Sequence, residues 1–172
     1  MDRSAEGERG LTKNRTTVER ASERELVVRR TFDAPARVVF EAWTRPELLM
    51  RWWAPKSTGM SLLWCEADVR AGGSYRLEFG HSGSKTMAFF GRYLDVTPHS
   101  RLVWTNDESD DGAVSTLTLE EREGKTLLVL RELYPSKDAL DAAIVGMEGG
   151  MPESFAQLDE LLVAAGASMG PS

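Results

Sequence analysis

The apolar and polar positions of the first third of the chain predict one strand followed by two short helices. Residues 25–32 form a β-rich run that ends at Asp33-Ala-Pro35. Proline is favoured in a first helical turn, so a helix is expected from Pro35 to about Trp43. A second short helix is expected from Glu47 to Trp53, bounded by Pro46 and Pro55.

The middle of the chain changes to runs rich in Val, Leu, Thr, Tyr, Phe and Trp, each bounded by a turn signal. Six strands are predicted: Leu62–Val69, Ser74–Phe79, Thr86–Val96, Arg101–Thr105, Ala113–Glu121 and Thr126–Leu133. Their connections are too short for parallel crossovers, so the pattern predicts an antiparallel meander. The strand at residues 25–32 would complete a seven-stranded sheet.

The last part of the chain returns to a helical period. Ser136 is a candidate N-cap, and the apolar positions then recur at spacings of three and four up to about Ala165: Leu140, Ile144, Met147, Met151, Phe155, Leu158 and Leu162. The order of elements predicts an α+β fold of the helix-grip type, in which one long C-terminal helix closes a curved antiparallel sheet. A single domain over residues 25–165 is expected, with a disordered polar arm at 1–24 and a flexible tail at 166–172.

The segment Gly146-Met-Glu-Gly-Gly-Met-Pro152 is unusual for a helix interior. Glycine costs about 1 kcal/mol and proline about 3 kcal/mol relative to alanine there. We expect the helix to bend or restart near Pro152 and the missing side chains to leave room above the sheet. A simple break between two packed helical segments explains the same residues equally well.

A single helix about 10 Å wide cannot fill the concave side of such a sheet, so a cavity is expected. Methionine and aromatic side chains commonly line apolar ligand pockets, although each also suits an ordinary core. The predicted lining consists of Trp64, Tyr75, Leu77, Phe79, Phe89, Trp104, Met147, Met151 and Phe155. These residues predict non-covalent binding of a small, largely apolar molecule.

Composition excludes several other functions. The 172 residues include 21 Lys and Arg against 27 Asp and Glu, a net charge of -6, and no basic cluster, so nucleic acid is not an expected partner. The start of the chain lacks a signal-peptide pattern and no apolar run reaches the roughly 20 residues that span a bilayer, so a cytoplasmic protein is expected. Cys65, His81 and His99 lack metal-site spacing, and neither a metal nor a cofactor is predicted.

The sequence contains no recognisable catalytic constellation, so enzymatic activity stays open. An inward-facing charge would be required, and the candidates are Glu66, Glu78, Arg92, Glu120, Arg131 and Glu132. A one-residue change of strand register reverses which of them point inward, and solvent-facing positions are the simpler interpretation. A cyclase- or hydrolase-like enzyme and a regulatory protein-interaction module therefore remain the alternatives to ligand binding.

Several segments in order resemble the SRPBCC superfamily, also called START or Bet-v-like, and within it the family related to the activator of the heat-shock-protein-90 ATPase. The matching segments include Val28–Pro35, Val39–Glu47, Arg51–Pro55, Asp68–Tyr75, Gly91–Pro98 with Arg101–Trp104, and Gly146–Met151 with Leu158–Leu161. The resemblance implies the helix-grip fold and a scaffold with many functions. Trp43, Trp52 and Trp53 belong to these segments and are expected to pack as a structural clasp beneath the sheet rather than to contact a ligand.

The resemblance bears on partners as well. The eukaryotic activators carry an additional N-terminal domain that engages the chaperone, whereas this sequence has a polar arm there, so a chaperone partner is not expected. A small apolar molecule is the expected partner, and a homodimer is left open.

Overall fold

Residues 15–81 and 86–169 are described by a computed structural model, which shows an α+β fold built on one curved antiparallel sheet. The strands are β1 (Thr17–Arg20), β2 (Glu25–Phe32), β3 (Ser61–Ala67), β4 (Ser74–Gly80), β5 (Met87–Thr97), β6 (Arg101–Thr105), β7 (Val114–Arg122) and β8 (Lys125–Leu133). The helices are α1 (Ala36–Thr44), α2 (Pro46–Trp52) and α3 (Lys137–Met169), with a short 3-10 turn at Lys56–Thr58. The sheet order is β1-β2-β8-β7-β6-β5-β4-β3, so the helix-grip prediction is confirmed with one additional strand.

The additional strand corrects the prediction of a disordered arm over residues 1–24. β1 pairs antiparallel with β2, with Thr17 opposite Arg29 and Arg20 opposite Leu26. An edge strand needs only backbone pairing, so a polar segment can form one without a buried face of its own. Residues 1–14 lie outside the described part of the chain. At the other end, α3 continues to Met169, past the predicted end at Ala165 and into the segment expected to be a flexible tail, of which residues 170–172 lie outside the described part.

The two short helices pack on the concave face of the sheet and form its core with the second half of α3. Trp52 is 1% exposed, and its indole Nε1 donates a hydrogen bond to the carbonyl oxygen of Ala42, which fixes α2 against α1. The ring centroids of Trp43 and Trp52 lie 4.9 Å apart. Phe155 of α3 is fully buried against both rings and against Phe32.

The first turn of α3 is capped and anchored to the sheet. The Ser136 side-chain oxygen accepts a hydrogen bond from the backbone N–H of Ala139, which confirms the predicted N-cap. Leu140 is fully buried in a small cluster with Leu26 and Tyr134. The Asp141 carboxylate accepts a hydrogen bond from Arg20 at 2.7 Å, so β1 also holds this end of the helix.

The second half of α3 is anchored to the segment that follows α2. The Gln157 side-chain amide donates to the carbonyl oxygens of Trp52 and Ala54, both at 2.9 Å, and the Ser154 hydroxyl donates to the carbonyl oxygen of Trp53. The Glu153 carboxylate accepts hydrogen bonds from the backbone N–H and the hydroxyl of Ser57. α3 is therefore supported on both sides of its glycine-rich middle.

The expected helix restart is wrong, because α3 is continuous from Lys137 to Met169 with Pro152 in its interior. The contacts on both sides of the glycine segment offset the low helix propensity of its residues, as tertiary packing commonly does. Among the helices of residues 15–81 and 86–169, none combines the length and apolar character needed to cross a bilayer.

Candidate functional site

A cavity of about 590 Å³ lies between the concave face of the sheet and α3. This volume falls in the range typical of small-molecule sites. Its apolar wall combines side chains from the sheet, the short helices and α3. They are Trp43, Trp52, Trp53, Pro55, Leu77, Phe79, Phe89, Trp104, Leu130, Met147 and Met151.

The strand register explains why β4 and β5 supply the aromatic part of this wall. Tyr75, Leu77 and Phe79 alternate along one face of β4, and Phe89 lies opposite Leu77 on β5. The rings of Phe79 and Phe89 stack with centroids 5.0 Å apart and planes 13° apart. Trp53 packs against both rings, so three aromatic side chains form one rigid surface.

The three tryptophans predicted as a clasp pack as expected and also line the cavity. Trp43 contacts Trp52 and lies 5.9 Å from Trp104 between ring centroids. The indole Nε1 of Trp43 is buried and has no acceptor among the described residues. A ligand or water that accepts this hydrogen bond would remove a cost of about 1–3 kcal/mol.

The structure brings together seven of the nine residues predicted to line a cavity: Tyr75, Leu77, Phe79, Phe89, Trp104, Met147 and Met151. Trp64 does not belong to the cavity, because it is 43% exposed on β3. A register shift between Leu62 and Trp64 pairs Trp64 with Glu78, whose neighbours Leu77 and Phe79 point to the opposite face. Phe155 is also absent from the lining, because it is fully buried in the core beneath. That the seven residues bind a ligand stays a prediction.

The glycines of α3 shape the roof of the cavity. Gly146 and Gly150 line it, each directly before a lining methionine, Met147 or Met151, whereas Gly149 does not. A Cβ at Gly146 or Gly149 would meet nothing within 4 Å, and at Gly150 only Pro55 at 3.9 Å. At the two lining positions, Gly146 and Gly150, the structure therefore leaves room for a side chain.

One end of the cavity is polar and connected by hydrogen bonds. Trp104, Ser115 and Glu132 are register neighbours across β6, β7 and β8. The Ser115 hydroxyl donates to Glu132 Oε2 at 2.7 Å and accepts from the Asn106 side-chain amide at 3.0 Å. The Tyr75 hydroxyl donates to the carbonyl oxygen of Thr105 at 2.6 Å and lies 3.2 Å from Asn106 Oδ1.

Glu132 is the buried ionisable group of this end. It is 8% exposed, and burial raises its pKa to about 7, with the hydrogen bond from Ser115 opposing the rise and the nearby Glu108 carboxylate adding to it. Of the described residues, none donates a hydrogen bond to the second carboxyl oxygen, Oε1. Among the charged candidates named from the sequence, Glu132 is the one that lines the cavity.

Further polar lining comes from the loop between β6 and β7 and was not predicted from the sequence. It includes the half-buried Glu108 and the exposed Ser109 and Asp111, which mark the opening of the cavity to solvent. In the sequence this acidic stretch lies between the predicted strands Arg101–Thr105 and Ala113–Glu121, where a hairpin turn is expected. Its only sequence signal was its charge, which is also typical of any exposed turn.

A smaller void of about 50 Å³ adjoins the apolar end and shares Trp43, Trp53, Tyr75, Leu77 and Trp104 with the main cavity. Tyr93 lines its far side. Burial raises the pKa of both tyrosine hydroxyls, so they are neutral hydrogen-bond groups at physiological pH.

The described residues contain no group of three or more His, Cys, Asp and Glu side chains placed to hold a metal ion. His81 and His99 are exposed. The pKa of Cys65 is raised to about 11 by burial and by the Glu47 carboxylate, so its thiol is a poor nucleophile near neutral pH.

Comparison with known proteins identifies a family whose model matches most of the chain. Residues 33–163 match the family model described as Activator of Hsp90 ATPase homolog 1-like protein. No curated protein matches the chain in sequence.

Similar structures have been solved. A protein from Rhodobacter sphaeroides is 27% identical with a TM-score of 0.80, over 87% of this chain and 98% of its own. A protein from Nitrosomonas europaea is 22% identical with a TM-score of 0.78, over 86% and 99%. An AHSA1-like protein from Aeromonas hydrophila is 18% identical with a TM-score of 0.67, over 79% and 92%; the last two likenesses concern the fold alone.

Proposed function

Because the chain belongs to the Activator of Hsp90 ATPase homolog 1-like family, whose fold is generally a ligand-binding fold, we propose that it binds a small, largely apolar molecule beneath α3. The observation that supports this proposal is the cavity of about 590 Å³ with its aromatic and methionine wall. A bound molecule would cover apolar surface that is otherwise in contact with water, at roughly 25 cal/mol per Å².

The glycine gap in α3 supports the same proposal. Three glycines in a helix interior cost stability that alanines would restore, and two of them line the cavity. A protein selected for stability alone would gain by filling this space. A binding site, however, requires this space to stay open. Functional sites commonly lower the stability of the protein in this way.

The test uses the neutral fluorescent probe N-phenyl-1-naphthylamine and variants of the roof. Gly150→Leu places a side chain in the cavity with only Pro55 nearby, and we expect it to weaken probe binding by about tenfold or more, since the probe and the leucine would overlap. Fluorescence titration gives the dissociation constants, and thermal unfolding shows that the variants are folded.

Gly149→Leu is the matched control. It makes the same substitution in the same helix, gains the same helix propensity, and adds a side chain where nothing lies within 4 Å and which is not part of the cavity lining. Probe affinity should equal that of the unmodified protein. No probe binding by the unmodified protein, or equal loss in both variants, would refute binding beneath α3.

A second candidate function is general acid–base catalysis in the same cavity, and Glu132 is the observation that favours it. A carboxyl group whose pKa is about 7 is well matched to proton transfer at neutral pH. The candidate predicts turnover with a bell-shaped or sigmoidal pH profile that Glu132→Gln abolishes. A ligand recovered unchanged after prolonged incubation would favour binding alone.

A further inference from the structure

The charges around the cavity have one sign. Its described lining includes the carboxyl groups of Glu108, Asp111 and Glu132 and no Arg, Lys or His side chain. The carboxylates occupy the polar end, and the aromatic wall occupies the rest. An anionic ligand would therefore meet repulsion at the charged end of the described lining, and a cation would meet attraction.

Among the described residues, Glu132 has no cationic partner, which is unusual for a carboxyl group that is more than nine-tenths buried. Its ion-pairing capacity is unused, because its one described side-chain contact is the neutral Ser115 hydroxyl. By contrast, the other buried charge, Arg30, has Asp159 at 3.5 Å. Glu132 lines the cavity and its Oε1 accepts no hydrogen bond from the described residues, so this oxygen is the position where a ligand cation would bind.

The aromatic side chains complete a site for a cation. Trp43, Trp53, Trp104 and the stacked Phe79 and Phe89 surround the same space, and aromatic faces attract ammonium groups and favour apolar ligand bodies. Attraction between a carboxylate and an ammonium group is stronger in such a partly desolvated cavity than in water.

We propose that the ligand class is an amphipathic organic amine, an aromatic or aliphatic body bearing one protonated nitrogen, with Glu132 as its counter-ion. The inference rests on the proposed function and specifies the ligand of that same site. The ammonium N–H donates to Glu132 Oε1, and the apolar body extends from there along the aromatic and methionine wall, beginning at Trp104, the register neighbour of Ser115.

Three naphthalene probes of similar size separate charge from hydrophobicity: 2-(1-naphthyl)ethylamine, 2-(1-naphthyl)ethanol and 1-naphthylacetate. By isothermal titration near pH 8.5, we expect the amine to bind about tenfold more tightly than the alcohol, since a hydrogen bond between charged groups replaces a neutral one. The acetate should bind most weakly. Equal affinities for amine and alcohol, or a preference for the acetate, would overturn the amine assignment.

Glu132→Gln keeps the shape of the side chain and removes its charge, so it should reduce amine affinity to that of the alcohol and leave the alcohol unchanged. Glu66→Gln is the matched control, because it makes the same change in net charge at an exposed position of β3 that is absent from the cavity lining. If amine affinity survives Glu132→Gln, Glu132 is not the counter-ion and the proposal fails.

The pH dependence of the unmodified protein gives a test that needs no variant. Glu132 loses its proton as pH rises through its raised pKa, and the amine remains protonated over that interval. Amine affinity should therefore increase between about pH 5.5 and about pH 8.5, while alcohol affinity stays constant. The titratable groups nearby are Glu108 and Asp111 from the β6–β7 loop, Tyr75 from β4 and Tyr134 after β8; the described lining from α3 contributes none.

The outcomes separate this inference from the proposed function. Binding of N-phenyl-1-naphthylamine without any preference for the amine retains the apolar site and rejects the cation. Absence of binding by every probe rejects both. Tighter alcohol binding at low pH would make protonated Glu132 a hydrogen-bond donor and would overturn its role as a counter-ion.

Discussion

Glu132 lowers the stability of the folded protein whenever it is ionised without a partner. Its pKa rises from its ordinary value of 4.5 to about 7 in the folded state, so the folded protein binds this proton more tightly than the unfolded chain. The folded state gains stability from the protonated form of Glu132. This contribution is complete below about pH 4.5 and is lost as the pH rises through 7. The position thus combines a cost in stability with a charge available to a ligand.

Glu132→Gln is accordingly expected to raise the free energy of unfolding, by up to about 3 kcal/mol near pH 8.5 and by little near pH 4.5. The physical reason is that the amide is neutral at every pH and can still accept the hydrogen bond from Ser115. Urea denaturation of the variant and the unmodified protein at both pH values measures the difference. A pH-independent difference would contradict the raised pKa.

For Trp64 and Glu132, the sequence alone could not predict on which face of the sheet the side chain lies. Simple alternation from the buried Leu62 would point Trp64 inward, but the register shift between them reverses its face. Nothing in the sequence marks this bulge. For Glu132, β8 carries leucine on both faces, with Leu128 and Leu130 buried and Leu127 and Leu133 exposed, so composition could not identify the inner face.

Among the secondary-structure elements, those with strong local signals were predictable. The strands β2 and β6 have the predicted bounds, and the Ser136 cap begins α3, because β-rich runs, prolines and caps act over a few residues. β1 and the continuity of α3 were not predictable. Both depend on contacts with residues distant in sequence, such as β2 for β1 and the segment after α2 for α3.

The attachment of α3 to β2 includes a partly buried ion pair. Arg30 Nη2 lies 3.5 Å from Asp159 Oδ2, and Arg30 also donates to the Thr16 hydroxyl at 3.0 Å. Burial lowers the pKa of Arg30 and raises that of Asp159, while each charge opposes the effect on the other. Removing one partner leaves the other charge in a poorly solvated position.

Asp159→Ala should therefore destabilise the protein by about 1–3 kcal/mol. The double variant Arg30→Met with Asp159→Leu should recover much of the loss, since neither charge remains to be buried. Chemical denaturation of the unmodified protein, Arg30→Met, Asp159→Leu and the double variant completes a mutant cycle. Strictly additive effects would show that the pair makes no contribution to attaching α3.

Taken together, the sheet and the helices separate a packed region from an open one. Phe32, Trp52, Phe155 and Leu158 form a dense core beneath the second half of α3, and the cavity lies beneath its first half and middle. The fold, the meander and the hollow could be inferred from the sequence. The acidic end of the hollow could not, because it assembles residues from the β6–β7 loop, β7 and β8 that only the register brings together.

β1 also has a consequence for any shortened version of the protein. A truncation beginning at Glu25 would remove the strand that covers β2, together with the contacts from Arg20 to Asp141 and from Thr16 to Arg30. The exposed backbone N–H and C=O groups of β2 could then pair with a strand of a second copy. Light scattering should therefore detect species larger than those of the full-length chain. A truncation beginning at Arg15 keeps β1 and should match the full-length chain; equal masses for all three would contradict this expectation. The polar segment ahead of β2 is therefore expected to limit self-association through the edge of β2.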